Sequence, residues 1–366
     1  MHEGEGKHRG AVIKGRGATG WLPGRFATTV AEAIDDGWHE RDREDETEAA
    51  PRTEVREERA RSVISRNQSP DIPFSQSLNP YRGCQHGCSY CFARPSHAYL
   101  DLSPGLDFET RIFAKTNAPE VLRAELARPG YRVSPIALGI NTDAYQPTER
   151  GLGLTRRIIE VLAETKHPFS LITKNALVVR DLDLLAPMAR ENLVRVSLSI
   201  TTLDNRLASK LEPRASAPPA RLRAVKALSD AGVPVGVMFA PAIPWINDAE
   251  LESVLEAARA AGATAAGYVL LRLPHEVAPL FRDWLRAHAP DRTAHVMSAI
   301  RQQRGGRDYD PTFGKRMRGE GVYAELLARR FELAKKRFGY DKRRREGLDC
   351  GRFVAPRKPS PQGELF

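Results

Sequence analysis

The chain has 366 residues, 41% hydrophobic and 28% charged, enough to bury a sizeable core and too apolar to be disordered throughout. Four cysteines in that length exclude a disulfide-framed secreted scaffold, and Cys84, Cys88 and Cys91 fall within eight positions, which points to a metal. A net charge of +10 suits an anionic partner, but charge alone speaks first to solubility and non-specific attraction.

Residues 1–69 read as a largely disordered polar arm. Glu3, Glu5, Lys7, Arg9, Lys14 and Arg16 interrupt residues 1–20 and leave no apolar segment of a secretory signal. The acid-leaning run from Glu40 to Glu46, followed by Glu48, Glu54, Glu57 and Glu58, offers too little apolar surface to offset the entropy of ordering. Lys14-Gly15-Arg16-Gly17 and Trp21-Leu22-Pro23 are a candidate docking segment within the arm, a flexible tail being the alternative. No window along the chain approaches 18 consecutive apolar residues, so no membrane partner is expected and the default location is cytoplasmic.

Residues 70–300 alternate strand-like apolar runs with helical patterns. A strand is expected near 74–81, and five more begin at Ile136, Phe169, Val194, Val233 and Ala265. Their starts lie 33, 25, 39 and 32 residues apart, the size of a βαβ unit. Ile158, Ile159 and Leu162 form one helical stripe, Leu222, Val225 and Leu228 another, and Asn247 to Glu250 looks like a capping box opening a helix from Leu251 to Ala260. Runs apolar on both faces belong to parallel strands covered by crossover helices, and six units of one hand curl without closing. The expected fold is α/β, a partial (β/α)6 barrel with reactive groups at the carboxyl ends of its strands. Residues 301–345 carry 15 Lys and Arg against 6 Asp and Glu and form a basic helical extension. With interleaved Tyr309, Phe313, Tyr323, Phe331 and Phe338 this segment is a candidate nucleic-acid surface, the alternative being an amphipathic helix with a solvated basic face. Residues 346–366, with three prolines, read as a disordered tail.

Cys84-x3-Cys88-x2-Cys91 supplies three soft thiolate ligands. Three cysteines on a four-iron cluster leave one iron free to chelate a small molecule with its own amino and carboxylate groups, as S-adenosylmethionine does. An electron passed from the cluster to its sulfonium then yields a 5′-deoxyadenosyl radical. Gly83 and Gly87 give the backbone freedom for a tight wrap. The alternative is a structural zinc knuckle with His86, His97 or Cys350 as fourth ligand, although the second C-x2-C pair usual in zinc sites is missing. Cys350 otherwise reads as a free thiol.

The triplet, with Tyr90 directly before its third cysteine in the first loop of a six-unit barrel, resembles the radical S-adenosylmethionine superfamily. Asn79 to Cys84, Cys91 to Leu100, Ser103 to Glu109, Asn141 to Pro147, Thr173-Lys174, Leu211 to Arg214 and Leu271 to Pro274 resemble its branch related to spore photoproduct lyase, a DNA repair photolyase-like group. The resemblance implies a [4Fe-4S] cluster on Cys84, Cys88 and Cys91, S-adenosylmethionine as cofactor, adenine contacted beside Tyr90, and a reducing electron donor of flavodoxin or ferredoxin type. Lys174 and Ser199 match groups that in the lyase hold the cofactor's carboxylate and ribose; Asn141 and Asp143 are candidates for its amino group or ribose. Bland readings stand beside these: Asp143 capping a turn, Lys174 as a solvated strand-end charge, and Ser199 satisfying backbone groups. Two departures concern the lyase reaction. This chain has no cysteine between Cys91 and Cys350 to return a hydrogen atom, and Phe92 stands where the lyase has a relay tyrosine, with Tyr99 or Tyr145 as substitutes. The substrate is expected to be a nucleic-acid component. The alternatives are radical modification of a protein, peptide or metabolite, and a non-catalytic iron-sulfur or zinc nucleic-acid-binding protein.

Overall fold

Short runs of apolar residues with few charges satisfy their backbone only by pairing, and here they pair in the order in which they occur. The computed structural model describes residues 12–27, 51–340 and 347–356. Its strands are β1 (Glu54–Glu58), β2 (Ile64–Arg66), β3 (Gln76–Leu78), β4 (Tyr81–Arg82), β5 (Arg111–Lys115), β6 (Ile136–Leu138), β7 (Phe169–Thr173), β8 (Val194–Ser199), β9 (Val235–Ala242) and β10 (Ala265–Leu270). The helices are α1 (Asp107–Thr110), α2 (Ala118–Leu126), α3 (Glu149–Leu152), α4 (Leu154–Glu164), α5 (Leu182–Arg190), α6 (Asn205–Leu211), α7 (Pro218–Asp230), α8 (Leu251–Ala260), α9 (Val277–His288), α10 (Thr293–Gln302), α11 (Lys315–Arg318) and α12 (Gly321–Arg337).

The six expected strands are β3, β6, β7, β8, β9 and β10, all parallel and each beside its predecessor, with β2 antiparallel at the β3 edge. In a flat sheet β3 and β10 would lie five spacings apart, about 24 Å at the usual 4.8 Å per strand. Yet Cys88 and Tyr90, from the loop after β3 and β4, share one apolar cluster with Leu211, Ile243 and Leu271, which follow β8, β9 and β10. The sheet therefore curls so that its carboxyl-end loops converge. It stays open, because β10 pairs only with β9 among the described residues.

Ile158, Ile159 and Leu162 on α4 and Val225 and Leu228 on α7 are buried as their spacing requires, with Leu222 half-buried against the same core. The expected capping box fails. Asn247 does not cap α8; its Oδ1 accepts from the Ile243 amide at 2.7 Å, and its Nδ2 donates to the Thr201 and Pro241 carbonyls at 2.7 and 2.9 Å. It thus ties the loops after β8 and β9 together.

Three boundaries are corrected. The arm is not uniformly unstructured: residues 12–27 lie against the barrel, and β1 pairs parallel with β5 in a small second sheet. Charged segments dock here through backbone ladders and paired side chains, which composition does not register. Helix α12 is no appendage, since Ala324, Leu327, Phe331 and Ala334 enter the main core and Phe331 meets Tyr268 of edge strand β10 at 4.6 Å. Residues 347–356 also dock, with the Val354 amide on the Thr165 carbonyl at 2.9 Å and Phe353 packed on Tyr131 and His167. The expected disorder at 1–11, 28–50 and 357–366 lies outside the described residues, as do positions 341–346 of the basic segment. Among the described residues, no helix is long and apolar enough to cross a membrane.

Candidate functional site

The three clustered cysteines share one turn-rich loop, residues 83–91, at the mouth where the carboxyl-end loops converge. Gly83 and Gly87 both adopt positive φ, 78° and 65°. A side chain at Gly83 would meet the Phe108 carbonyl at 2.9 Å, and one at Gly87 would meet Glu109 Oε2 at 2.5 Å, so the wrap requires glycine at both positions. The Cys84 amide is held by the Phe108 carbonyl at 2.8 Å, and the Cys91 amide by the Cys88 carbonyl at 3.2 Å.

Behind the loop lies a buried relay. Arg94, fully buried, donates through Nε to the Cys88 carbonyl at 2.9 Å, through Nη1 to the Pro104 and Gly105 carbonyls, and through Nη2 to Glu109 at 2.6 Å. Glu109, equally buried, accepts the amides of Gly17 and Ala18 at 3.1 and 2.7 Å. Gly17 sits so close to the Gly87 carbonyl that a Cβ there would fall 1.6 Å from its oxygen. The candidate docking segment of the arm is thus a strap pressed on the cysteine loop. Trp21 Nε1 donates to Asp107 at 3.2 Å, and Arg25 pairs with Glu276, just before α9, at 3.0 Å.

Burial pushes the Cys84 thiol well up, helped by the charge of Asp143. Cys88 is pushed up to about 12 by burial and by Glu212, against the pull of Lys174. Such buried thiols become good ligands only with a strong cation beside them, which iron would supply. Among the described residues no three His, Cys, Asp or Glu side chains are gathered for a single ion. The donor set is three soft thiols on one loop, which is the chemistry of an iron-sulfur cluster with one iron left open.

The zinc alternative loses its fourth ligands. His86 Nδ1 faces Asp143 at 3.3 Å and its Nε2 lies 3.3 Å from Asn175, while His97 Nε2 contacts the Arg111 carbonyl. Cys350 belongs to the segment that docks on Asn192 and Thr165, which precede β8 and β7, at the end of the sheet opposite the cysteine loop.

Of the expected cofactor residues, Lys174 and Tyr90 come together with the loop, the ammonium 5.8 Å from the ring centroid. Burial pulls the Lys174 ammonium down, but the charges of Cys88 and Glu212 outweigh it and hold its affinity for a proton above the usual lysine value. Among the described residues its Nζ makes no hydrogen bond or ion pair. The Tyr90 hydroxyl donates to Glu212, which also accepts from Thr201 at 2.5 Å and from the buried Arg221. Burial works to raise the Glu212 carboxyl, and Arg221 and Lys174 overcome it and hold it low. Glu212 was not singled out from sequence; its signal was its place in Leu211 to Arg214, beside which Ser89 donates to the Leu211 carbonyl at 3.1 Å.

Asp143 is engaged within the protein. Its oxygens accept from Thr173 Oγ1 and from the amides of Tyr145 and Lys174 at 2.7 to 2.8 Å. Burial would raise this carboxyl, but the charge of His86 and those hydrogen bonds hold it well below the usual range. The turn-capping reading describes it. Ser199, buried, donates to the Ala240 carbonyl at 3.1 Å, and Asn141 is exposed, its amide held by Asn79. Of the substitute tyrosines, Tyr145 is fully buried and donates to Asp181 at 2.9 Å, and Tyr99 is 71% exposed beside Phe26 of the strap.

Residues 78–258 match the family model described as the radical SAM superfamily. Uncharacterised proteins of Mycobacterium tuberculosis and Mycobacterium bovis are each 43% identical over 220 residues, 59% of this chain and 65% of the relative. One from Methanocaldococcus jannaschii is 27% identical over 192 residues, 52% of this chain and 69% of that protein. The chain thus spans about two thirds of the length of the curated relatives it matches. Among solved structures, a spore photoproduct lyase variant superposes with a TM-score of 0.53 at 16% identity, over 78% of this chain and 79% of that one. The lyase complexed with dinucleoside spore photoproduct gives 0.53 at 14% identity over the same shares. Those likenesses bear on the fold, and the cysteine loop lies inside the matched domain. By that match, residues 78–258, the cysteine loop included, carry a radical SAM superfamily domain.

Proposed function

We propose that the chain is a radical enzyme holding a [4Fe-4S] cluster on Cys84, Cys88 and Cys91 and abstracting hydrogen from a nucleic-acid component. When bound, the cluster supplies one electron for reductive cleavage of S-adenosylmethionine to methionine and a 5′-deoxyadenosyl radical. The observation that carries this reading is the buried cysteine loop with the Lys174 ammonium beside it. Glu212 favours that charge electrostatically but makes no ion pair with it, because its oxygens are hydrogen-bonded to Arg221, Tyr90 and Thr201. Lys174 would offer three donors to a carboxylate, and Tyr90, anchored by its hydroxyl, fixes the backbone beside it that would contact adenine. The Leu271, Leu273, Ile243 and Leu211 cluster excludes water around the loop. The electron comes from a reduced donor of flavodoxin or ferredoxin type.

Return of a hydrogen atom by the lyase route has no support in this chain. Phe92 lacks a hydroxyl, Tyr145 is locked on Asp181, and Cys350 sits at the far end of the sheet. We therefore read the reaction as distinct from dimer reversal. The test is anaerobic reconstitution with iron and sulfide, addition of S-adenosylmethionine and dithionite, and chromatography for 5′-deoxyadenosine and methionine. Both products are expected from the wild type and neither from Cys88→Ala. An intact cluster without cleavage, or cleavage undiminished in the variant, would refute the proposal.

A further inference from the structure

The basic segment does not carry charge where its composition suggests. Arg301, Lys315, Arg316, Arg330 and Lys335 are ion-paired with Asp308, Glu320, Asp71, Glu252 and Glu332. Helix α12 faces the core with its apolar side, which leaves Arg329 and Lys336 on a solvated face. Unrelieved positive charge gathers instead at the end of β10. Arg272 has no carboxylate partner among the described residues. Its guanidinium carbon stands 4.8 Å from the centroid of Phe92, the residue directly after Cys91. Its Nε is buried without a hydrogen-bond partner, and its Nη1 meets only the Met317 thioether, at 3.6 Å.

Beside it Arg304, 2% exposed, donates to the carbonyls of Leu271 and Lys315 at 2.9 and 2.8 Å and makes no ion pair among the described residues, Asp310 acting on it only through its charge. Its guanidinium is lowered below the usual arginine range by burial and by the neighbouring charge of Arg272. Two cations held together against mutual repulsion, one with an unsatisfied buried N–H, cost free energy that an oxyanion would recover through charge-assisted hydrogen bonds.

Resting on the function proposed above, we infer that Arg272, stacked on Phe92 and backed by Arg304, is the phosphate subsite for a nucleotide or oligonucleotide substrate, placed beside the cysteine loop. The guanidinium fork matches a phosphate bidentately, and Phe92 fixes its plane. At 39% exposure the Phe92 ring also leaves an edge open to the substrate.

The test measures fluorescence anisotropy of a labelled single-stranded oligonucleotide on the anaerobically reconstituted protein, with thymidine 5′-monophosphate, inorganic phosphate and thymidine as competitors. Arg272→Gln is expected to weaken binding by roughly 10- to 100-fold, the loss of one charged hydrogen-bonding group, and Arg272→Lys to recover part of it. Arg329→Gln with Lys336→Gln is expected to change it less than twofold, and thermal melting checks that each variant folds. Competition by the monophosphate but not by thymidine assigns the phosphate; competition by the oligonucleotide alone assigns a phosphodiester within a strand. Unchanged binding in Arg272→Gln overturns the inference, and so does equal loss in the α12 variant. If Arg272→Gln instead abolishes the change that S-adenosylmethionine makes to the paramagnetic spectrum of the reduced cluster, the guanidinium serves the cofactor and the inference falls. Wild type that binds nucleotide through Arg272 but never forms 5′-deoxyadenosine would sink the proposed function and leave the subsite standing.

Discussion

The Arg94–Glu109 pair predicts a stability coupling that can be measured directly. Both side chains are fully buried, 2.6 Å apart. Glu109→Ala leaves a guanidinium in the interior with three carbonyls and no counter-charge, a loss of about 3–5 kcal/mol for one partner of a buried pair. It also strips the acceptor from the Gly17 and Ala18 amides. Those amides would cost a further ~1–3 kcal/mol each if they stayed buried. The strap can avoid that by lifting off, so the total should stay near the lower figure. Arg94→Ala leaves the Glu109 carboxylate with the two strap amides and only the charge of Arg16 nearby, and should cost a similar amount, again about 3–5 kcal/mol. The double variant removes both charges at once. Its cost should fall short of the sum by at least ~2 kcal/mol. Calorimetric melting should drop by roughly 4–8 °C in each single variant, and urea titration at fixed pH supplies the free energies for the cycle. Limited trypsin digestion should cut the strap at Arg16 and Arg25 faster in Glu109→Ala than in wild type. Additive free energies within about 0.5 kcal/mol, with an unchanged digestion pattern, would show that Glu109 neither neutralises Arg94 nor holds the strap.

Two further outcomes follow from local geometry. Gly17→Ala drives a Cβ into the Gly87 carbonyl, whereas Gly20→Ala meets nothing within 4 Å; the first should speed loss of iron to a chelator several-fold at an unchanged fold and the second should not, and equal release rates would refute a clamping role for the strap. His167, buried between the Pro168 carbonyl and the Tyr131 hydroxyl, is lowered by burial to about 4. The unfolded chain then binds more protons than the folded one between pH ~6.5 and about 4, so stability should fall as pH drops through that window, by up to ~1.4 kcal/mol per unit. Urea midpoints from pH 7 to 4.5 should show that slope diminished in His167→Gln, and an identical slope would assign the acid sensitivity to other groups.

How much of this was legible beforehand depends on which interaction makes each element. The six parallel strands are buried or half-buried on both faces, so their apolar runs and spacing announce them. Strand β1 is Glu-Val-Arg-Glu-Glu with four of its five residues exposed, and it exists only because β5 offers a backbone edge. No local pattern marks such a strand. The strap was visible as a basic, glycine-interleaved segment, but its acceptor, Glu109, lies more than ninety positions away. The cysteine triplet was legible as three thiols on one loop because its members lie within eight positions of each other. Asp143, by contrast, looked like a cofactor ligand because a carboxylate past a strand end can serve either role. The choice turns on Thr173, His86 and the Lys174 amide, none of which is adjacent in sequence.

The carboxylates around the cysteine loop share one arrangement. Glu109 is closed by Arg94 and two amides, Glu212 by Arg221 and two hydroxyls, and Asp143 by His86, a hydroxyl and two amides. Buried acids so fully satisfied make poor metal ligands and poor bases. Their service is to fix the loop and the strand ends. Closing them limits, without removing, the negative charge they turn on the thiols: Asp143 still pushes the Cys84 thiol up and Glu212 the Cys88 thiol. Among the described residues two cationic side chains near the loop have no ion-paired acid, Lys174 on one side and Arg272 on the other. In the function proposed above, the first would anchor the cofactor and the second the substrate.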